Sequence, residues 1–260
     1  DHTLDVLIGN QMLKPIDKNK LTFWSQLHTS LLNPYYDPQN RFTVPYYWGV
    51  YGIGYDADQF PEGFATHTWE LIFSTTPCPG AHICMTDDPR EAILIAAQYL
   101  FGTIDALKDP VAQEAVKQLL IRQKKQVEVY TLARADSLLQ TKGCSVATIA
   151  SPEAWRVSRL SPQIKMIIPQ EGSFFIIDSF GILKDSEKDE LIYEFLNFIF
   201  EQESIKHHSQ MYGFCSPLTT IFVPSQNEFC PIDQKSNFDF FRPVISDERI
   251  NEIWTEVIAA

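Results

Sequence analysis

Apolar and polar residues follow two rhythms along this chain, and the rhythm changes at Pro, Gly, Asn and Asp. Leu4–Asn10 suits a short helix, followed by an irregular I-D-K-N-K-L stretch and a further short helical piece up to residue 32. Asn33–Thr43 (N-P-Y-Y-D-P-Q-N-R-F-T) is loop by its content of Pro, Asn and Asp. Val44–Tyr55 (V-P-Y-Y-W-G-V-Y-G-I-G-Y) is β-prone and aromatic, with three glycines that suit a bent strand or a close backbone approach. Phe60–His67 reads as loop and Trp69–Phe73 as a short apolar segment.

Helical periodicity takes over at Thr86–Glu91 (T-D-D-P-R-E) and runs to about Phe101. Asp88 stands at the cap, Pro89 at the first helical position, and Glu91 three residues past the cap. Asp109 opens a second helix with Val111, Ala115, Val116, Leu119 and Leu120 as its apolar positions. Strands at Val127–Tyr130 and Ser145–Ala150 alternate with helices at Ala135–Thr141 and from Ser151 (S-P-E-A-W-R). Ser186–Glu201 predicts a long helix with Leu191, Ile192, Phe195, Leu196 and Ile199 on its apolar face, and Gln202–Met211 another. After a loop-rich Tyr212–Asp239, Ser246-D-E-R starts a last helix with Ile250, Ile253, Trp254 and Val257 inward. Strands alternating with helices predict the α/β class.

The segment Met166–Leu183 (M-I-I-P-Q-E-G-S-F-F-I-I-D-S-F-G-I-L) organises the rest. Its second half, Phe174–Leu183, is almost wholly apolar and reads as a strand buried on both faces, with one carboxylate, Asp178, in its middle. A buried Asp needs a partner, so Asp178 either meets a cation at a crevice or caps something local. This strand and Val44–Tyr55 bracket a self-sufficient α/β block, and both read as crossings between two lobes. The expected division is residues 1–50 with 172–260 in lobe I and 51–171 in lobe II.

At 260 residues and 45% hydrophobic, the chain can bury a large core, near the size at which one core becomes two. A net charge of −12 argues against nucleic acid as a partner, and an acidic surface concentrates cationic ligands. No apolar run approaches the ~18 residues of a membrane helix. Five cysteines cannot all pair within one chain; Cys78 and Cys84 could close a small loop in an oxidising compartment. His82 between them invites zinc, but without a second pair of thiols the metal signal is weak, and neither metal nor cofactor is expected.

Five segments in order carry a resemblance: Met12–Trp24, Asn33–Tyr55, Thr86–Glu91, Pro169–Asp178 and Lys188–Glu203. Through them the chain resembles the bacterial periplasmic spermidine/putrescine-binding proteins of ABC importers. The resemblance implies a two-lobed type II periplasmic-binding fold with two hinge crossings, a small cationic amine held in the interlobe cleft, and a membrane permease as partner. No chemistry is performed, and the location implied is the periplasm. Carried over by motif, Asp178 corresponds to the hinge carboxylate, Asp88 and Glu91 to an acidic pair of lobe II, Glu153 to an acid after W-x-G, and Phe214 to a cleft tyrosine. Asp88 and Glu91 equally fit a capping box with no ligand, and Glu153 suits the positive end of a helix dipole.

Three departures stand out. Ala150-S-P-E153 replaces the family's W-x-G-D/S motif, Ile176 replaces a Trp two residues before the hinge Asp, and Phe214 replaces the tyrosine. The acids remain while the aromatic box is largely stripped, which keeps charge recognition and weakens stacking on methylenes. The chain is also expected to begin after the first strands of lobe I, so that a further segment or another chain would complete that lobe. Two other classes compete: a sensor on the same fold with altered or lost polyamine specificity, and an enzyme with Cys215 as nucleophile.

Overall fold

The computed structural model describes residues 2–65, 67–74, 80–221, 229–231 and 238–260. In chain order its elements begin with α1 (His2–Gly9), β1 (Leu13–Lys14), β2 (Thr43–Asp56), α2 (Glu70–Phe73), β3 (Ile83–Met85) and α3 (Pro89–Phe101). Next come α4 (Pro110–Lys124), β4 (Val127–Tyr130), α5 (Ala135–Gln140), β5 (Val146–Ala150), α6 (Ser151–Leu160) and β6 (Ile164–Ile167). The chain ends through β7 (Ser173–Leu183), α7 (Asp189–Ile199), α8 (Gln202–Tyr212), β8 (Phe238–Phe240) and α9 (Asp247–Ala259). Short 3-10 turns at Lys18–Lys20, Trp24–Gln26 and Thr29–Leu31 stand where a second short helix was expected. Two compact units result: residues 1–49 with 176–235, and residues 50–175 with 236–260. The strands β2 and β7 each contribute residues to both.

In the first unit, β1 pairs antiparallel with the end of β7, Leu13 opposite Leu183. Its core gathers Phe23, Leu27, Val44, Ile182, Leu196 and Phe200, with the rings of Phe23 and Phe200 stacked at 3.8 Å. The N-P-Y-Y-D-P loop is held from within. Asp37, 3% exposed, accepts hydrogen bonds from the backbone N–H groups of Arg41, Phe42 and Thr43 and from the Thr43 hydroxyl, all at 2.8–2.9 Å. Asn33 and Asn40 take the left-handed backbone (φ 57° and 46°) that Asn tolerates, and the Asn33 N–H closes onto Asn40 Oδ1. A disulfide joins Cys215 to Cys230.

In the second unit, the later half of β2 pairs antiparallel with both β5 and β6, while β3 lies parallel to β5 and β4. Gly52 is required by close approach: a Cβ there would lie 2.5 Å from Met166 Cε and 2.6 Å from the Ile167 carbonyl oxygen. Ala92 through Ala97 of α3 are all buried, which makes it a core helix. The helix α9 adds Ile250, Ile253 and Val257 against this unit, with Glu256 ion-paired to Lys117 of α4 and Asp247 to Arg90 of α3.

Several expectations need correction. The C-terminal helix was assigned to lobe I with everything after residue 172, but its apolar stripe and its ion pairs join it to α3 and α4 of the second unit. The strand β7 is not buried on both faces along its length. Its first half is largely buried as far as Ile177, and from Asp178 onward it is more open, with Ile182 buried and Phe180 partly buried against the first unit's core. Helix α7 is shorter than Ser186–Glu201 and turns only part of the expected face inward: Leu196 and Ile199 are buried and Ile192 packs on the core, joined by Tyr193, whereas Leu191 and Phe195 are 60% and 50% exposed. Apolar residues occur nearly all round this helix, so periodicity alone could not pick the inward face. On α4, Val111 is 75% exposed in the first turn, while Ala112, Val116, Leu119 and Leu120 form the buried stripe.

Candidate functional site

In the second unit the carboxylates cluster around the N-termini of α3 and α6. Asp88 caps α3 as its spacing predicts, accepting a hydrogen bond from the Glu91 N–H at 3.0 Å. The reciprocal half of the box is missing. Glu91 instead turns away from the backbone, and its Oε2 accepts from the Tyr51 hydroxyl at 2.9 Å and the Thr86 hydroxyl at 2.6 Å. The Asp88 N–H that a capping glutamate would take is bonded to Thr86 Oγ1. Thr86 thus releases Glu91 from helix capping.

Glu153 lies in the first turn of α6, where Ala150 at the cap position offers no side-chain acceptor. Its carboxylate accepts from the backbone N–H of Ala150, so this glutamate does serve its own helix. Burial pushes the pKa of Glu153 up, with Asp136 adding and Arg156 opposing. Burial also pushes Glu91 up, and the charges of Asp88 and Glu153 add to it while the two hydroxyl bonds hold it down. Tyr51 is driven well above its ordinary value, chiefly by burial and by Glu91, and so acts as a donor. The result is an acidic site of low polarity, in which no Lys, Arg or His pairs with Glu91 among the described residues. Two helix N-termini supply the partial positive charge that makes ionised carboxylates tolerable there.

The remaining predicted residues belong to the first unit. Asp178 is exposed on β7 where the strand opens, and it forms no hydrogen bond or ion pair among the described residues. Its charge reaches Tyr36, whose hydroxyl is pushed up to about 12 mainly by burial, with Asp37 and Asp178 adding. Of the two readings left open for Asp178, local capping finds no partner among the described residues. Phe214 is half-buried and stacks on Tyr47 at 4.3 Å and 9°. Tyr47 donates to the Tyr46 hydroxyl, which in turn bonds His208 Nδ1 at 2.7 Å.

The structure therefore brings together Asp88, Glu91 and Glu153 and adds Tyr51 and Thr86, which sequence reasoning quoted inside motifs without assigning them to the site. A signal existed for Thr86: a hydroxyl two residues before an Asx cap competes for the cap's own N–H. No sequence signal marks Tyr51, whose place beside Glu91 depends on tertiary packing. Cys215 is no nucleophile, because it is bonded to Cys230. Cys84 is a free, buried thiol, and its suggested partner Cys78 lies outside the described residues. Among the described residues no cluster of three or more His, Cys, Asp or Glu could hold a metal ion, and no helix is long and apolar enough to cross a membrane.

Residues 1–227 match the bacterial extracellular solute-binding protein family. The chain belongs to that family. Its members are binding proteins of ABC transporters rather than enzymes. Among its relatives is the putrescine-binding periplasmic protein PotF of Escherichia coli, 24% identical over 272 residues, covering 95% of this chain and 73% of the relative. The spermidine/putrescine-binding periplasmic protein of Escherichia coli is 26% identical over 214 residues, covering 82% of this chain and 60% of the relative. Among solved structures, the spermidine/putrescine ABC transporter substrate-binding protein PotD of Streptococcus pneumoniae superposes with a TM-score of 0.86 at 18% identity, covering 98% of this chain and 80% of that one. The Tp0655 (TpPotD) lipoprotein of Treponema pallidum gives 0.77 at 20% identity over 98% and 81%. These relatives bear out the resemblance read from the five motifs and the two-lobed periplasmic-binding fold it implied.

Proposed function

We propose that this protein is the solute-binding component of an ABC importer and that its ligand is a polyamine or related small cationic amine. The observation that carries this reading is Glu91: a half-buried carboxylate oriented by two hydroxyls, flanked by two further acids and paired with no cation among the described residues. A cationic ligand supplies the charge that this cluster lacks. Asp178, exposed and unpartnered among the described residues, is proposed as a second anionic contact, for an amine with charges at both ends. An amine with two charges leaving water needs an anionic partner for each. Phe214 is proposed as an apolar contact for the methylene chain rather than a hydrogen-bonding one, since it has no hydroxyl. By the names of its relatives, the protein would work in the periplasm and hand its ligand to a membrane permease.

The test is calorimetric titration of protein freed of ligand by unfolding and refolding, against putrescine, cadaverine, spermidine, a monoamine of equal length and a neutral diol. Saturable binding of at least one diamine or triamine, with the diol inert, supports the reading. Equal or tighter binding of the uncharged compound would sink it.

A further inference from the structure

Glu91 has two carboxylate oxygens, and the second unit uses only one of them. Oε2 accepts the Tyr51 hydroxyl at 2.9 Å and the Thr86 hydroxyl at 2.6 Å, while nothing among the described residues bonds Oε1. Thr86 gives Glu91 its only proton, since its own oxygen accepts the Asp88 N–H at 3.2 Å. Tyr51 is held as firmly. It is 8% exposed, its ring meets Phe241 edge-on at 5.4 Å, and Phe241 stacks on Phe174 at 4.2 Å. In the β2–β5 ladder Tyr51 stands opposite Ala150, the residue ahead of α6 and Glu153. A carboxylate oxygen offers two lone pairs, so two hydroxyl bonds fill Oε2 and leave Oε1 as the open acceptor of this group.

That asymmetry acts differently on the two common organic cations. An ammonium is a point charge with rotatable N–H donors, and one of them can serve Oε1 alone. A guanidinium binds a carboxylate best as a flat fork, through two parallel N–H bonds that need a lone pair on each oxygen. At Glu91 the second arm of the fork meets an oxygen already filled by hydroxyl protons. We propose that Tyr51 and Thr86 make this a site for a primary ammonium and against a guanidinium, an inference that rests on the cation-binding reading of the protein. The fork forfeits one charge-assisted bond, which corresponds to about tenfold in affinity. Guanidinium is more weakly hydrated than ammonium, which works the other way, but that difference belongs to the ligands and stays the same when the protein is altered.

The experiment is calorimetric titration of the refolded, ligand-free protein and of its Tyr51→Phe variant with putrescine and with 1,4-diguanidinobutane, which differ only in their cationic ends. In the wild type, putrescine should bind at least about tenfold more tightly. In Tyr51→Phe one lone pair of Oε2 is released with almost no change of shape, so the ratio of the two affinities should shrink several-fold, whatever happens to either affinity alone. Equal or tighter binding of the diguanidine to the wild type would overturn the inference and leave the cation-binding reading standing. So would an unchanged ratio in the folded variant, which would assign the preference to bulk rather than to the filled oxygen. If neither dication binds, the cation-binding reading falls and takes this inference with it. Should Tyr51→Phe fail to fold, the wild-type pair of titrations still decides, since a diguanidine that binds as well as putrescine contradicts a filled Oε2.

Discussion

The substitution Glu91→Gln keeps an oxygen within reach of the Tyr51 and Thr86 hydroxyls and removes one negative charge. Because burial and the charges of Asp88 and Glu153 raise the Glu91 pKa, its ionised form is held at a cost to the ligand-free fold. The neutral amide relieves that cost, so the thermal midpoint of the ligand-free protein should rise. Ligand binding should move the other way. An ammonium about 4 Å from a carboxylate gains about 4 kcal/mol at an effective dielectric of about 20, before dehydration of the two ions is counted. What survives in a charge-assisted hydrogen bond is about 2–3 kcal/mol. Loss of that contact weakens diamine binding by about 30- to 150-fold. Calorimetric titration with putrescine and spermidine, beside thermal unfolding of the ligand-free protein, reads both effects. An affinity change below about threefold, under ~1 kcal/mol, refutes the placement of Glu91 at the cation. So does a fall in the ligand-free midpoint, which would mean that the charge supports the fold.

The raised carboxylates give a pH dependence with a defined sign. Glu91 and Glu153 hold protons in the folded state above the pH at which they lose them unfolded, so ligand-free stability should fall as pH rises from the unfolded carboxylate range through their raised values, and level off beyond. A cation favours their ionised forms, so diamine affinity should rise across the same window with proton release, visible as binding heats that differ between buffers; proton uptake would contradict the assignment. Reducing the Cys215–Cys230 bond, which spans a separation of 15 residues, should cost about 3 kcal/mol in urea unfolding, and an unchanged midpoint would rule out that contribution. Asp37→Ala strands three backbone N–H groups of the loop ahead of β2 and should cost about 2–4 kcal/mol in the same assay. Gly52→Ala forces a Cβ onto a backbone carbonyl of β6 and should lower stability by about 1–3 kcal/mol; a neutral result would show that β2 and β6 can separate freely.

Local chemistry made much of this molecule readable from its residues. The caps at Asp88, Asp109 and Ser246, with Pro89 and Pro110 behind the first two, mark the starts of α3, α4 and α9, because an N-cap is satisfied within three residues of itself. The glycines of Val44–Tyr55 announced a close approach that Gly52 makes, and the ordered motifs named the family. The motifs also place Asp88, Glu91 and Glu153 at helix starts. What Glu91 does was decided elsewhere. A capping box and a ligand carboxylate have the same spelling, and it takes Thr86 at the cap and Tyr51, brought forty residues along the chain to its side, to turn the glutamate from its helix. The stripe that α7 buries, the unit that α9 joins and the point at which β7 opens at Asp178 likewise depend on residues distant in sequence. Periodicity can say that a segment has an apolar face, but which face is buried, and what a freed carboxylate meets, is set by whatever else the chain folds against it.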